Sequence, residues 1–341
     1  MESFMSRSLR AVAFAAATLC ASAGAFAQSS VTLYGLMDAG VRSYQTAGTE
    51  KNKEVSSGDM TTSFLGFKGA EDLGGGLSAI FTFEHFFRPD VGQAGRFNGD
   101  GFWARSAYVG LKSEYGAVTF GRNTTPFFVS TLVFNAFGDS FSYSPSILHY
   151  FQSGGALVGD SGWSNSVAYR SPSFGGASVN LLANLDENGA GQKGNNFGGN
   201  VLYFSGMFSG TVAYQNVKNA TGGLAAGLDN QESWQLGGAA DFKVVKVFAQ
   251  YGQVKNEGVA ELKNKIFQVG ASAPIGNGKV LFAYGQAEAE TAATDVTRKT
   301  TSVGYDYNLS KRTDVYAVYM NDKKTNLSSG NSYGAGIRLT Y

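Results

Sequence analysis

Two histidines, His85 and His149, and a single cysteine, Cys20, narrow the chemistry that 341 residues can perform. Two strings have the order found around serine nucleophiles: Gly159-Asp160-Ser161-Gly162 and Gly138-Asp139-Ser140. Such a serine needs a histidine base held by an orienting carboxylate, and neither histidine stands in a recognisable base motif. In a chain with 46 glycines, short Gly/Ser/Asp strings arise by chance, so no catalytic residue is assigned. Two histidines without a cysteine cluster supply no zinc site, and no Asp-x-Asp-x-Asp-Gly calcium loop occurs. No Gly-rich loop ends in Gly-Lys-Ser/Thr, so neither nucleotide chemistry nor any other cofactor is expected.

Charge and composition exclude further classes. With 27 Lys+Arg against 26 Asp+Glu there is no cationic excess for nucleic acid. Tyr 17 and Phe 26 are too many for a solvated, disordered chain. The glycines follow no Gly-X-Y period. The first residues read as an export signal: Arg7 and Arg10 open it, Ala11 to Cys20 are apolar, and Ala25-Phe26-Ala27 offers a small-x-small cleavage site before Gln28. Residues 1–27 are therefore expected to be a signal peptide and 28–341 a single domain. An uncleaved anchor fits less well, since the apolar stretch is short for a span. A lipidated Cys20 is disfavoured by the bulky Leu19 before it. Cleavage takes Glu2, Arg7 and Arg10 out of the 26 acidic and 27 basic residues, leaving 25 of each sign. The only cysteine goes too, so no disulfide framework is expected.

The rest of the chain must be built from strands. No convincing i, i+3, i+4, i+7 repeat and no run of 18 apolar residues follows residue 27. Instead, sixteen segments alternate with period two: 30–44, 60–71, 77–88, 102–113, 117–123, 163–171, 177–186, 197–205, 209–218, 231–242, 244–255, 264–274, 278–288, 299–309, 313–323 and 332–341. In the last, Tyr333, Ala335, Ile337, Leu339 and Tyr341 oppose Ser332, Gly334, Gly336, Arg338 and Thr340. Short turns such as Glu114-Tyr115-Gly116 and Ser310-Lys311-Arg312 swap with longer polar connectors (45–59, 89–101, 187–196, 219–230, 256–263, 289–298, 324–331). An even set of strands near ten residues, with tight turns on one rim and long loops on the other, points to a transmembrane β-barrel. A sheet in lipid has no partners for its edges and must close on itself. Tyr34, Phe87, Trp103, Trp163, Trp234 and Tyr341 lie near strand ends, where interfacial girdles stand.

The strings Ser30-Val-Thr-Leu-Tyr-Gly35, Gly66-Phe-Lys-Gly-Ala-Glu-Asp-Leu-Gly-Gly-Gly76, Ala107-Tyr-Val-Gly-Leu111, Val118-Thr-Phe-Gly-Arg122, Asn165-Ser-Val-Ala-Tyr-Arg170 and Val303-Gly-Tyr-Asp-Tyr307 resemble, in order, the general diffusion porins of Gram-negative outer membranes. The resemblance implies an all-β fold, a sixteen-stranded antiparallel barrel assembled as a homotrimer in outer-membrane lipid. It also implies a third loop folded inward and passive diffusion of small solutes and ions through water. Most members end in phenylalanine as an assembly signal; this chain ends in Tyr341.

Residues 124–162 are the one long break in the alternation. They carry Phe127, Phe128, Phe134, Phe137, Phe141, Tyr143, Tyr150 and Phe151 but only Asp139 and Asp160 as formal charges. A loop so aromatic must pack against something, and the resemblance makes it the constriction loop against the inner wall. In the family, wall arginines oppose acids on this loop, which sets selectivity. Carried over by motif, Arg122 and Arg170 keep two wall positions and Asp139 is the acidic partner. A third wall arginine usually precedes the Leu-Gly-Phe string; here Phe64 stands in its place. Lys68 and Glu84 share the inward parity of their strands. Simple alternation puts Arg122 with Val118 and Phe120, so its inward pointing rests on the resemblance, with a bulge as one way to achieve it. These residues imply a pore less cationic than its relatives, with an apolar patch around Phe64 and a weak anion preference, passing small hydrophilic or mildly apolar solutes. The alternatives are a barrel hydrolase, a channel adapted to one nutrient and a soluble β-rich lectin.

Overall fold

The computed structural model describes residues 30–152, 155–185, 195–218, 227–258, 261–290 and 295–341. The expected export segment 1–27, with Cys20, lies outside the described residues, as do parts of four long connectors and residues 153–154 of the long loop. The strands are β1 (Ser30–Tyr44), β2 (Asn52–Ser57), β3 (Phe64–Gly74), β4 (Leu77–Arg88), β5 (Gln93–Ala94), β6 (Ser106–Ser113), β7 (Gly116–Thr124), β8 (Gly162–Arg170) and β9 (Ala177–Asn184). They continue with β10 (Asn196–Ser205), β11 (Phe208–Val217), β12 (Leu228–Asp241), β13 (Lys246–Gly258), β14 (Leu262–Ile275), β15 (Gly278–Glu290), β16 (Val296–Asn308), β17 (Thr313–Lys324) and β18 (Gly330–Thr340). Two short helices, α1 (Pro126–Val133) and α2 (Pro145–Tyr150), lie in the long loop.

These make sixteen staves. β2 and β3 are the two halves of one stave, both antiparallel to β1, and β5 is a two-residue ribbon on β4. β1 closes the ring on β18 from Leu36↔Thr340 to Ser43↔Tyr333. The barrel therefore has no open edge, as a sheet in lipid requires.

Exposure is inverted relative to a soluble protein. Val31, Leu33, Val41, Val109, Phe120, Val212, Phe267 and Ile337 stand on the outer surface, whereas Thr119, Gln235, Gln250, Gln268, Thr300 and Ser302 are buried. Apolar outside and polar inside is the pattern of a lipid-facing barrel with an aqueous lumen.

The structure corrects the sequence reading in four places. Residues 52–57, expected in a loop, form the outer half of the second stave. The stave breaks at 58–63 because the buried Asp38 carboxylate accepts from the Met60 and Thr61 amides, both at 2.8 Å. Residues 102–105, expected in a strand, precede β6. The long loop contains two helices too short to give a repeat; each has a Pro in its first turn and a capping hydroxyl before it, Thr125 or Ser144. Finally, Tyr34 and Trp163 are not girdle residues: Tyr34 bonds Glu84, and Trp163 packs on Leu182 and Val217.

Candidate functional site

The site begins with what holds the loop 124–162 inside the barrel. α1 lies against β10, β11 and β12, and α2 against β14, β15 and β16. Long polar side chains of that wall reach the loop's main chain. Asn200 Nδ2 donates to the Pro126 carbonyl (2.8 Å) and Gln250 Nε2 to the Thr131 carbonyl (2.8 Å). Ser302 Oγ donates to the Tyr143 carbonyl (2.7 Å), and Gln268 Oε1 accepts from the Ser146 amide (2.7 Å). The wall also yields space. Six strands each place a glycine where a loop side chain or ring comes close: Gly237 under Phe134, Gly252 under Tyr150, Gly270 under Ala136, Gly285 under Pro145 and His149, Gly304 under Phe137, and Gly334 under Tyr143. A Cβ at Gly285 would lie 2.6 Å from that of Pro145. Phe127, Phe134, Tyr143, Ile147 and Leu148 are fully buried in consequence, so the loop is a fixed half-partition of the lumen.

His149 is sealed into this contact. Thr300 Oγ1 gives its proton to Asp322 (2.6 Å), so His149 Nε2 donates to Thr300 (3.0 Å). Burial, with Arg298 nearby, pushes the imidazole down to about 3, which keeps the ring neutral.

Across the lumen stands the wall of β1–β8. Phe64, Lys68 and Glu84 are brought together there by two residues that sequence reasoning missed. Arg105 places its guanidinium 3.9 Å from the centre of the Phe64 ring and pairs with Glu84 at 2.6 Å. Tyr34 donates to Glu84 (2.7 Å), meets Phe64 edge-on and lies under the Lys68 ammonium at 4.7 Å. The apolar patch expected at Phe64 is thus covered by a cation. The signal for Arg105 was its place just before Ser106, at the inward mouth of β6.

Asp139 sits at the loop's tip, half-buried, and accepts from the Thr61 hydroxyl (3.2 Å). Burial raises its carboxyl above the usual range, with Arg105 the strongest opposing charge. It meets neither Arg122 nor Arg170. Arg170 lies near a short turn, 5.5 Å from the Tyr108 ring. Arg122 does sit at a bulge, a register shift between Gly121 and Asn123 with Gly121 at φ +133°. Its partner is Asp160 at the loop's end, which Arg96 also binds (2.7 Å). Although burial opposes it, Arg96 and Arg122 hold the Asp160 carboxyl below its ordinary value. Arg42 ties the same mouth to the loop, donating to Glu54, to Asp59 and to Ser142 Oγ (2.9 Å). Arg42, Glu54, Arg96, Arg122 and Asp160 line a vestibule of about 1080 Å³, with Phe141 and Phe151 as its loop-side aromatics. At the C-terminus, Tyr341 and Gly35 exchange main-chain hydrogen bonds at 3.2 Å.

The serines of the two nucleophile-like strings are otherwise engaged. Ser140 Oγ donates to the Asp59 carbonyl (2.5 Å) and Ser161 Oγ to Asp160 (3.2 Å). His149 faces Thr300, and His85 stacks on Phe102.

Comparison with known proteins gives a consistent answer. The family model for Gram-negative porins matches residues 11–327. Outer membrane porin protein 32 of Delftia acidovorans is 32% identical over 340 residues, covering 95% of this chain and 94% of that protein. An outer membrane porin protein of Bordetella pertussis is 27% identical, with 95% of this chain and 98% of that protein covered. Among solved structures, the anion-selective porin from Comamonas acidovorans superposes with a TM-score of 0.80 at 27% identity, covering 92% of this chain and all of that one.

Proposed function

The chain belongs to the Gram-negative porin family and is an outer-membrane channel for passive diffusion of small solutes, and from that premise we propose that Arg105, stacked on Phe64 and clamped by Glu84 opposite Asp139, sets its selectivity. The observation that carries the reading is the guanidinium 3.9 Å from the Phe64 ring centre: a cation occupies the space left when an aromatic replaces a wall arginine. Lys68 and Arg170 form no ion pair among the described residues; Lys68 and Arg105 on the wall, with Arg170 further along the lumen toward the short turns, set three cations along the path against the carboxylates of Glu84 and Asp139. That excess of one favours a weak preference for anions, in keeping with the anion-selective porin it resembles. Arg122, neutralised by Asp160, belongs to the outer mouth of the same path. Small hydrophilic solutes are the cargo, and the family reading is that of a non-enzymatic channel.

The assembled form is a homotrimer, with residues 1–27 removed on export and Tyr341 serving as the assembly signal at the β1–β18 seam. Reversal potentials across a planar bilayer in a salt gradient test the selectivity. A modest anion preference is expected, and clear cation selectivity would overturn it. Heat-dependent migration of the trimer on gels tests the assembly.

A further inference from the structure

A second charged recess, separate from the vestibule, lies beneath the tip of the loop on the short-turn side of the barrel. It has a volume of about 400 Å³ and is walled by β13, β14, β15, β16 and β18, with residues 133–139 as its roof. That is within the roughly 300–1,000 Å³ of small-molecule sites. Its wall carries Lys246, Lys279 and Arg338. Arg338 is satisfied by Asp306 (2.7 Å) and Asp314 (2.9 Å). Asp306 must also serve Lys279, at a looser 3.6 Å, and Lys246 has no ion pair among the described residues. Lys246 pairs across the sheet with Ser272, and Ser272 with Leu281, two residues along β15 from Lys279. Two strand spacings and two residue rises put the lysine Cα atoms roughly 12 Å apart. In the structure Lys279 leans toward Asp306 on β16 and the Lys246 ammonium lies 5.2 Å over the Phe248 ring; both side chains are long enough to turn toward a solute held between them. Asp139, on the opposite roof, and Asp306 oppose a dianion here, so binding falls to the two lysines.

We propose that Lys246 and Lys279 form a binding site for a small dianion, one oxygen edge to each ammonium, on the short-turn side of the constriction. An anion that has passed Arg105 would pause here before release. The site rests on the chain being an open channel, so its test first requires conductance. Inorganic phosphate added from the short-turn side should reduce single-channel chloride current in a saturable way. Lys246→Ala and Lys279→Ala should each raise the half-blocking concentration roughly tenfold or more, the loss of one charge-assisted contact. Lys246→Arg should keep the block, and Lys311→Ala, in an exposed turn, should leave it unchanged. Gel heat-modifiability identifies any variant that fails to fold, in which case the Arg variant decides. Unsaturable block, block unaffected by both Ala variants, or glycine competing as well as phosphate would each overturn the site. Absence of any channel would instead refute the porin reading.

Discussion

The fit between loop and wall can be broken and restored at one atom. A Cβ built at Gly334 overlaps Tyr143 Oη, and the next nearest atom of that ring, Cζ, is 3.0 Å away. Tyr143 is fully buried, so its ring cannot swing aside without moving the loop. Overpacking of this kind costs about 1–3 kcal/mol, and each 1.4 kcal/mol is about tenfold in the ratio of seated to displaced loop. Gly334→Ala should therefore lower that ratio by roughly one to two orders of magnitude, seen as added closures in single-channel records and a lower unfolding temperature on gels. Tyr143 Oη has no hydrogen-bond partner among the described residues, so Tyr143→Phe alone should be close to neutral. In combination it should recover most of the loss, since it deletes the overlapping atom and leaves the 3.0 Å contact. A double-mutant cycle reads the coupling directly. If Gly334→Ala is silent, or Tyr143→Phe does not rescue it, the seat does not work as described.

Removing the wall cation is the second test. A unit charge about 5 Å from a permeating ion in water is worth about 0.8 kcal/mol before screening. Arg105→Ala should thus shift the anion-to-cation permeability ratio several-fold toward cations, and adding Glu84→Gln should largely reverse the shift. Because burial raises the Asp139 carboxyl, it should lose its charge at a higher pH than an ordinary aspartate. Anion preference should then climb as pH falls, and Asp139→Asn should abolish that step in reversal-potential titrations. His149 works in the opposite sense. Its pKa is near 3 when seated and 6.5 when free, so the displaced loop takes up the proton first. Seating should weaken as pH falls from about 6.5 toward 3, and His149→Gln should remove that acid sensitivity from the closure frequency.

Strand alternation was readable because a lipid-facing position and a lumen-facing one demand opposite chemistry every second residue. The count of sixteen staves follows from that rule, though not the outer half of the second one, as does the aromatic loop with nowhere soluble to go. What the pattern could not carry depends on partners far apart in the chain. The break at 58–63 is made by Asp38, on the neighbouring stave, reaching main-chain amides. Arg105 lies at the mouth of its strand, where alternation says little, and its function arises from Phe64 on one strand and Glu84 on another. A bulge at Arg122 was one option the sequence left open, while the pairing with Asp160 was not expected, since nothing local distinguishes the loop's two acids. The glycines were visible as an excess, while the rings they receive are settled only by register.

All six glycine seats lie more than a hundred residues beyond the start of the loop, and the last of them, Gly334, stands close to the C-terminus beside the β1–β18 seam. The bare positions that receive the loop are thus all contributed by chain that follows it, and the last of them stands on the stave that closes the ring. Closure of the wall and seating of the partition share that stave, so a fault at the seam should loosen the loop as well.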